Sequence, residues 1–85
     1  MKKVTIYTTD ICPYCVKAKR LLIKKGIEFQ EMRVDENPAL SLEARERSGG
    51  MMTVPQIFIE DQHIGGCDDL YALEHKNELD LLLED

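Results

Sequence analysis

Two cysteines separated by two residues, Cys12-Pro13-Tyr14-Cys15, stand where one sequence periodicity ends and another begins. Before them, Lys3 to Thr8 alternates, with Val4, Ile6 and Thr8 on one face, and reads as a strand. After them, Cys15, Ala18, Leu21, Leu22 and the stem of Lys25 recur at helical spacing. Pro13 suits the first turn of that helix, where a missing N–H costs nothing. Lys24 and Lys25 suit the negative end of its dipole, and Gly26 accepts the left-handed conformation at its stop. A strand therefore runs into a helix across a pair of thiols, and the rest of the chain has to pack around that junction.

Ile27 to Val34 alternates and reads as a second strand. Asn37-Pro38 is a helix start, and the helix is expected to reach about Arg47 before Ser48-Gly49-Gly50. Thr53-Val54 is extended, because the residue before Pro55 avoids the helical region. Gln56 to Glu60 reads as a third strand, Asp61-Gln62 as a tight turn, and His63-Ile64 as the start of a fourth strand. Gly65-Gly66 breaks the pattern. Asp68 and Asp69 open a third helix, where carboxylates match the positive N-terminus. A fourth short helix is expected from about Asn77 to Leu83, or as a continuation of the third. The order β-α-β-α-β-β-α implies an α/β fold: one four-stranded mixed sheet with helices on its faces, residues 1–85 forming one domain.

Composition excludes several functions. With 85 residues, such a chain buries only about 60% of its unfolded surface, so the core is modest. The net charge of −5 argues against nucleic acid as a partner, since phosphate binding needs a positive surface. No apolar run approaches the roughly 18 residues of a membrane helix, and Val4 to Thr9 lacks the pattern of an export signal. The cytoplasm is the expected compartment. Lys17, Lys19, Arg20, Lys24 and Lys25 read first as a solvated helix face, and in the alternative as a positive surface beside the cysteines. Three cysteines make no disulfide framework; in a reducing compartment a close pair is catalytic or metal-binding.

The chemistry expected of the pair follows from its position. A thiol attacks a disulfide only as the thiolate, and a helix N-terminus lowers a free cysteine's pKa from about 8.5. Cys12 sits where unpaired helix N–H groups point. Cys15 is three residues on, on the same face, at a Cα separation of roughly 5–5.5 Å, which a disulfide tolerates. Cys12, at the exposed tip, is the expected nucleophile; Cys15, one turn deeper, is the resolving thiol. Zinc binding is the alternative, but the further ligands are only Cys67, His63 and His75, and their spacing matches no zinc pattern.

Cys12-Pro13-Tyr14-Cys15, then Thr53-Val54-Pro55, then Gly65-Gly66-Cys67-Asp68-Asp69-Leu70 resembles the dithiol glutaredoxins, the bacterial glutaredoxin-3 type in particular, across nearly the whole chain. The resemblance implies a thioredoxin fold with a cis bond before Pro55. It implies glutathione as co-substrate, with no tightly bound cofactor, held by Tyr14, Thr53, Val54, Pro55, Cys67 and Asp68. Val54 then pairs with the cysteine of glutathione, and Cys67 and Asp68 hold its γ-glutamyl end. A carboxylate suits the N–H groups opening the third helix, Gly65-Gly66 permits close backbone approach, and Asp68 suits the ammonium. A helix cap is the plainer role for Asp68.

The chain departs from the family pattern in two places. Thr9 stands three positions before Cys12, and Gly49-Gly50-Met51-Met52 stands before Thr53, where glutaredoxins often carry basic residues. Arg45, Arg47 and Lys17 are the candidate substitutes. Met51 and Met52 read as core packing or as an apolar contact for a protein.

The resemblance implies a monomer acting on disulfide-containing or glutathionylated proteins, with ribonucleotide reductase among the suggested targets. A redoxin fed by thioredoxin reductase and an iron–sulfur carrier are the other readings. Gly65-Gly66-Cys67-Asp68 speaks against the first, and Pro13 speaks against the second by family analogy.

Overall fold

The computed structural model describes residues 1–85. Strand β1 (Val4–Thr8) leads to helix α1 (Pro13–Lys24), strand β2 (Phe29–Arg33) and helix α2 (Pro38–Arg47). Strands β3 (Gln56–Ile59) and β4 (Gln62–Gly65) precede helices α3 (Cys67–His75) and α4 (Leu79–Leu83). The sheet order is β2-β1-β3-β4. β1 pairs parallel with β2 and antiparallel with β3, and β3 and β4 form a hairpin. This is the mixed α/β sheet expected from the element order.

All five residues of β1 are buried, although alternation predicted only one apolar face. The cause is that helices cover both faces of the central strand. Val4 and Ile6 pack with Ala18, Leu21 and Leu22 of α1, Leu70 of α3, and Leu79 and Leu83 of α4. Tyr7 points the other way, into a smaller cluster with Phe58 and Ala44 of α2. Tyr7 and Phe58 meet edge to face, with ring centroids 5.7 Å apart. The Tyr7 hydroxyl is satisfied within this layer: it donates to Glu43 Oε2 at 2.9 Å and accepts from Arg47 Nη1 at 2.7 Å. Burial, opposed by the Arg47 hydrogen bond, still raises its pKa.

Several boundaries differ from those predicted. β2 is an edge strand and spans only Phe29–Arg33; Ile27 serves the core from the preceding loop, with its N–H on Leu22 O. The hairpin turn is Glu60-Asp61 rather than Asp61-Gln62, because Ile59 faces Gln62 in the register, and Glu60 takes φ +52° to close it. Gly65 ends β4 opposite Ile57 instead of lying beyond it. α3 starts at Cys67, one residue before the expected Asp68. α4 is separate from α3, since Asn77 at φ +59° ends the helical path. Lys25 Nζ ties this C-terminal layer to α1 through Glu74 at 2.8 Å and Asp80 at 3.1 Å, and both bonds raise its pKa. No helix is long and apolar enough to cross a membrane.

Leu22 is the side chain through which α1 grips this core, at 1% exposure. Leu22→Ala is expected to destabilise the protein by about 3 kcal/mol; equilibrium unfolding in urea checks this, and a loss under ~1 kcal/mol would refute the assigned role.

Candidate functional site

The loop from β1 to α1 carries the cysteines. Cys12 is the N-cap of α1, in extended conformation, and its Sγ accepts the Cys15 N–H at 3.1 Å. Cys12 and Cys15 stand as a disulfide with Cα atoms 5.1 Å apart, within the separation expected of a Cys-x-x-Cys pair on one helix face. Cys12 is less open than predicted. It is 9% exposed against 1% for Cys15, so the order is preserved while the exposed tip is not. The cap position turns the sulfur inwards, towards the helix N–H groups and the Val54 carbonyl oxygen at 3.9 Å.

Two polar anchors hold the flanks of this loop. Asp35 Oδ2 accepts the Asp10 N–H at 3.1 Å, and Arg33 clamps Asp35 through Nε at 2.9 Å and Nη2 at 2.7 Å. The Arg33 hydrogen bonds depress the Asp35 pKa to about 2. On the other flank, Glu31 joins three elements, accepting from Thr8 Oγ1 at 2.7 Å and from Lys19 Nζ at 2.8 Å. Burial opposes ionisation there, but these two donors outweigh it and lower the Glu31 pKa. Neither carboxylate was singled out from sequence, since each reads there as an ordinary surface charge.

The loop after α2 faces the cysteines. The Val54–Pro55 bond is cis, as the resemblance implied. Gln56, 2% exposed, holds the loop in place: its Nε2 donates to Thr53 O at 3.0 Å and Thr53 Oγ1 at 3.2 Å. Its Oε1 lies 2.6 Å from His63 Nε2, which is therefore the protonated nitrogen of the ring. Sequence reasoning missed Gln56 and weighed His63 only as a zinc ligand, not as its partner. They meet across the β3–β4 hairpin, and no local pattern reports such a pairing.

A groove of about 230 Å³ runs beside this loop, lined by Tyr14, Thr53, Val54, Pro55, Cys67 and Asp68. All six residues that the resemblance placed at a glutathione site thus share one groove, next to Cys12 through Val54. Met51, Gln56, Gly66 and Asp69 complete its walls and were not anticipated as site residues. Asp69 Oδ2 accepts the Gly66 N–H at 3.0 Å, so the cap of α3 belongs to Asp69 and not to Asp68. The Asp68 carboxylate has no hydrogen-bond or ion-pair partner and stays open to the groove. Gly65 has φ +120°, and a Cβ there would collide with the Asp69 carboxylate, so glycine is required.

Cys67 is buried as a free thiol at the start of α3. Burial pushes its pKa up, against a weaker opposing pull from Lys17. With His63 and His75 it forms no metal-binding group.

Of the three basic residues weighed as substitutes, two are engaged elsewhere. Arg47 lies over Phe58, 4.1 Å from the ring centroid, and bonds Glu60 O. Lys17 lies over Tyr71 at 4.9 Å. Arg45 lines a second groove that shares Met51, Thr53 and Val54 with the first.

A disulfide-forming pair at a helix N-terminus, opposite a cis-proline loop on this four-stranded sheet, defines a thioredoxin-fold thiol–disulfide oxidoreductase. The glutaredoxin family model matches residues 4–64. Glutaredoxin 3 of Escherichia coli K12 is 57% identical over 84 residues, covering 99% of this chain and all of that protein. A glutaredoxin of Pseudomonas aeruginosa is 54% identical, covering 98% of each chain. The solution structure of glutaredoxin from Brucella melitensis superposes with a TM-score of 0.84 at 55% identity, covering 98% of this chain and 89% of that one. The crystal structure of a buckwheat glutaredoxin–glutathione complex gives a TM-score of 0.85 at 28% identity, covering 94% and 74%. The chain belongs to the glutaredoxin family, and its sequence is of the bacterial glutaredoxin-3 type.

Two predictions follow from the charges and thiols at this site. Asp35 has an ordinary value of 3.8 lowered to about 2, so its ion pair stabilises the fold above pH 3.8 and is lost as pH falls through about 2. The urea midpoint of the wild type is expected to fall more steeply than that of Asp35→Asn between those pH values. Parallel curves would refute the clamp. Cys67, buried and shifted upwards, is expected to resist iodoacetamide at pH 7.5 in the reduced protein while Cys12 is modified. Mass mapping checks this, and equal labelling would contradict it.

Proposed function

We propose that the protein reduces protein disulfides and protein–glutathione mixed disulfides in the cytoplasm with glutathione as electron donor. Cys12 is the nucleophile and Cys15 the resolving thiol. In one route, the Cys12 thiolate attacks a glutathionylated protein, the target leaves as its thiolate, and a glutathionyl group stays on Cys12. A second glutathione attacks that bond and departs as glutathione disulfide. In the other route, Cys12 attacks a protein disulfide and Cys15 displaces the target, leaving the 12–15 disulfide for two glutathiones to reduce. Glutaredoxin potentials of roughly −200 to −230 mV lie near the glutathione poise, so both directions are open.

The observation that carries this reading is the unpartnered Asp68 carboxylate at the opening of α3, in the groove that also holds Val54. A carboxylate free of cap duty suits the ammonium of a γ-glutamyl group. The α3 N–H groups beside Cys67 suit its carboxylate. Thr53 and Val54 offer backbone to the middle of an extended tripeptide, with Pro55 and Tyr14 at its edges. The glutathione complex of the buckwheat relative supports the same ligand class. The Cys15 N–H on Cys12 Sγ supports the nucleophile's identity, since it stabilises a thiolate at that sulfur.

A glutathione-coupled reduction assay tests the roles. Cys12→Ser is expected to abolish activity on every substrate. Cys15→Ser is expected to retain activity on a glutathionylated peptide and lose it on a protein disulfide. Asp68→Ala is expected to raise the KM for the glutathionylated peptide about tenfold, as loss of a charge-assisted hydrogen bond does, with little change in kcat. Full activity of Cys12→Ser, or an unchanged KM in Asp68→Ala, would defeat the corresponding assignment.

A further inference from the structure

Val54 presents an open backbone beside Cys12. Its N–H donates to no group of the chain, and its carbonyl oxygen meets only the Cys12 sulfur, at 3.9 Å. The direction of that N–H is set within its own peptide unit. The Thr53–Val54 bond is trans and planar, with carbonyl and N–H pointing opposite ways, so whatever fixes the Thr53 carbonyl also aims the Val54 N–H. Gln56 fixes that carbonyl: its Nε2 donates to Thr53 O at 3.0 Å and to Thr53 Oγ1 at 3.2 Å.

A side-chain amide has two faces, and only one orientation of Gln56 serves here. Thr53 O is an acceptor, so the amide nitrogen has to face it. The amide oxygen then faces His63 Nε2 at 2.6 Å and requires a proton on that nitrogen. With the proton on Nδ1 instead, two lone pairs would meet at that distance. The amide would turn over and set its oxygen against Thr53 O. His63 is held for the donor role. Its ring lies against Phe58, with centroids 5.0 Å apart and planes inclined at 32°, and Arg47 lies over the same Phe58 ring. Its Nδ1 bonds no group of the chain, so no other protein partner competes for the tautomer. Gln56 is 2% exposed, so solvent is a poor substitute for either of its bonds.

We propose that His63 is a positioning residue for substrate binding. By donating from Nε2 it fixes the Gln56 amide, which holds the Thr53 carbonyl and so aims the Val54 N–H at the backbone of a peptide bound beside Cys12. This rests on the backbone pairing at Thr53 and Val54 proposed above. It adds a residue of β4 that lines neither the groove nor the thiol pair. The device acts on binding alone. Attack by the Cys12 thiolate and closure by Cys15 need no group from β4, so a lost aim weakens the pairing of a peptide substrate and leaves the bond changes as they are.

The test uses the reduced full chain under single turnover with two probes. One is a short peptide glutathionylated at its single cysteine. The other is 2-hydroxyethyl disulfide, which has no peptide bond to pair. His63→Phe keeps a ring against Phe58 and removes the donor. It is expected to raise the half-saturation concentration for the glutathionylated peptide about fivefold, the effect of one hydrogen bond. The limiting rate and the rate on 2-hydroxyethyl disulfide are expected to stay within about twofold. Gln56→Met is expected to give the same rise, and adding His63→Phe to it no more, because the two residues act as one unit. An unchanged half-saturation concentration in His63→Phe, a parallel loss on both probes, or effects that multiply in the double variant overturns the proposal. Nitrogen-15 NMR of the unaltered protein at pH 8.5 needs no variant: the proton is expected on His63 Nε2, and a proton on Nδ1 overturns the proposal. Wild-type protein with no preference for the glutathionylated peptide over 2-hydroxyethyl disulfide overturns the pairing at Val54 itself.

Discussion

Cys12 Sγ caps helix α1, and the rest of the site depends on that one contact. A sulfur in the cap position accepts the Cys15 N–H, so the start of the helix and the geometry of the pair are fixed by the same interaction. The cap also turns the sulfur away from solvent and towards Val54. This explains why Cys12 is only slightly more exposed than Cys15, although it lies at the tip of the helix. The asymmetry between the two thiols is one of partners more than of exposure.

Holding that cap in place takes structure on every side. β1 delivers the chain to Cys12 and is covered on both faces, by α1, α3 and α4 on one and by α2 on the other. Asp35 and Arg33 pin the loop backbone at Asp10, and Glu31 links β1, β2 and α1 just below. Opposite, Gln56 fixes Thr53 while His63 fixes Gln56, so the hairpin that closes the sheet also positions the cis-proline loop. Each of these polar groups is satisfied, and no buried side-chain polar atom lacks a partner. Asp68 lines one groove and Arg45 the next, and neither side chain is claimed by a hydrogen bond or an ion pair.

Much of the scaffold was legible in the sequence because its signals are local. The α1 face of Cys15, Ala18, Leu21 and Leu22, the Asn37-Pro38 helix start and the Gly26 stop each depend on residues within a turn or two, and each stands where expected. The resemblance gathered Tyr14, Thr53, Val54, Pro55, Cys67 and Asp68, and they line one groove. Errors fell where distant contacts decide. Thr8 and Tyr7 are both buried because separate layers cover β1, and the hairpin turn moved by one residue because register overrode the Asp61-Gln62 signal.

The sequence by itself determined that two thiols meet a helix N-terminus, because a strand, a proline and a helical stripe follow one another without interruption. It also determined the order of elements, and hence a mixed sheet. Only the tertiary structure decided which groups remain free to act. Asp69 rather than Asp68 takes the cap of α3, Arg47 is drawn into the Tyr7–Phe58 layer while Arg45 is not, and Met52 stays in solvent. Those outcomes depend on which hydrogen bonds and packing contacts already claim each side chain. That competition is settled between segments far apart in the chain, and no local pattern records it.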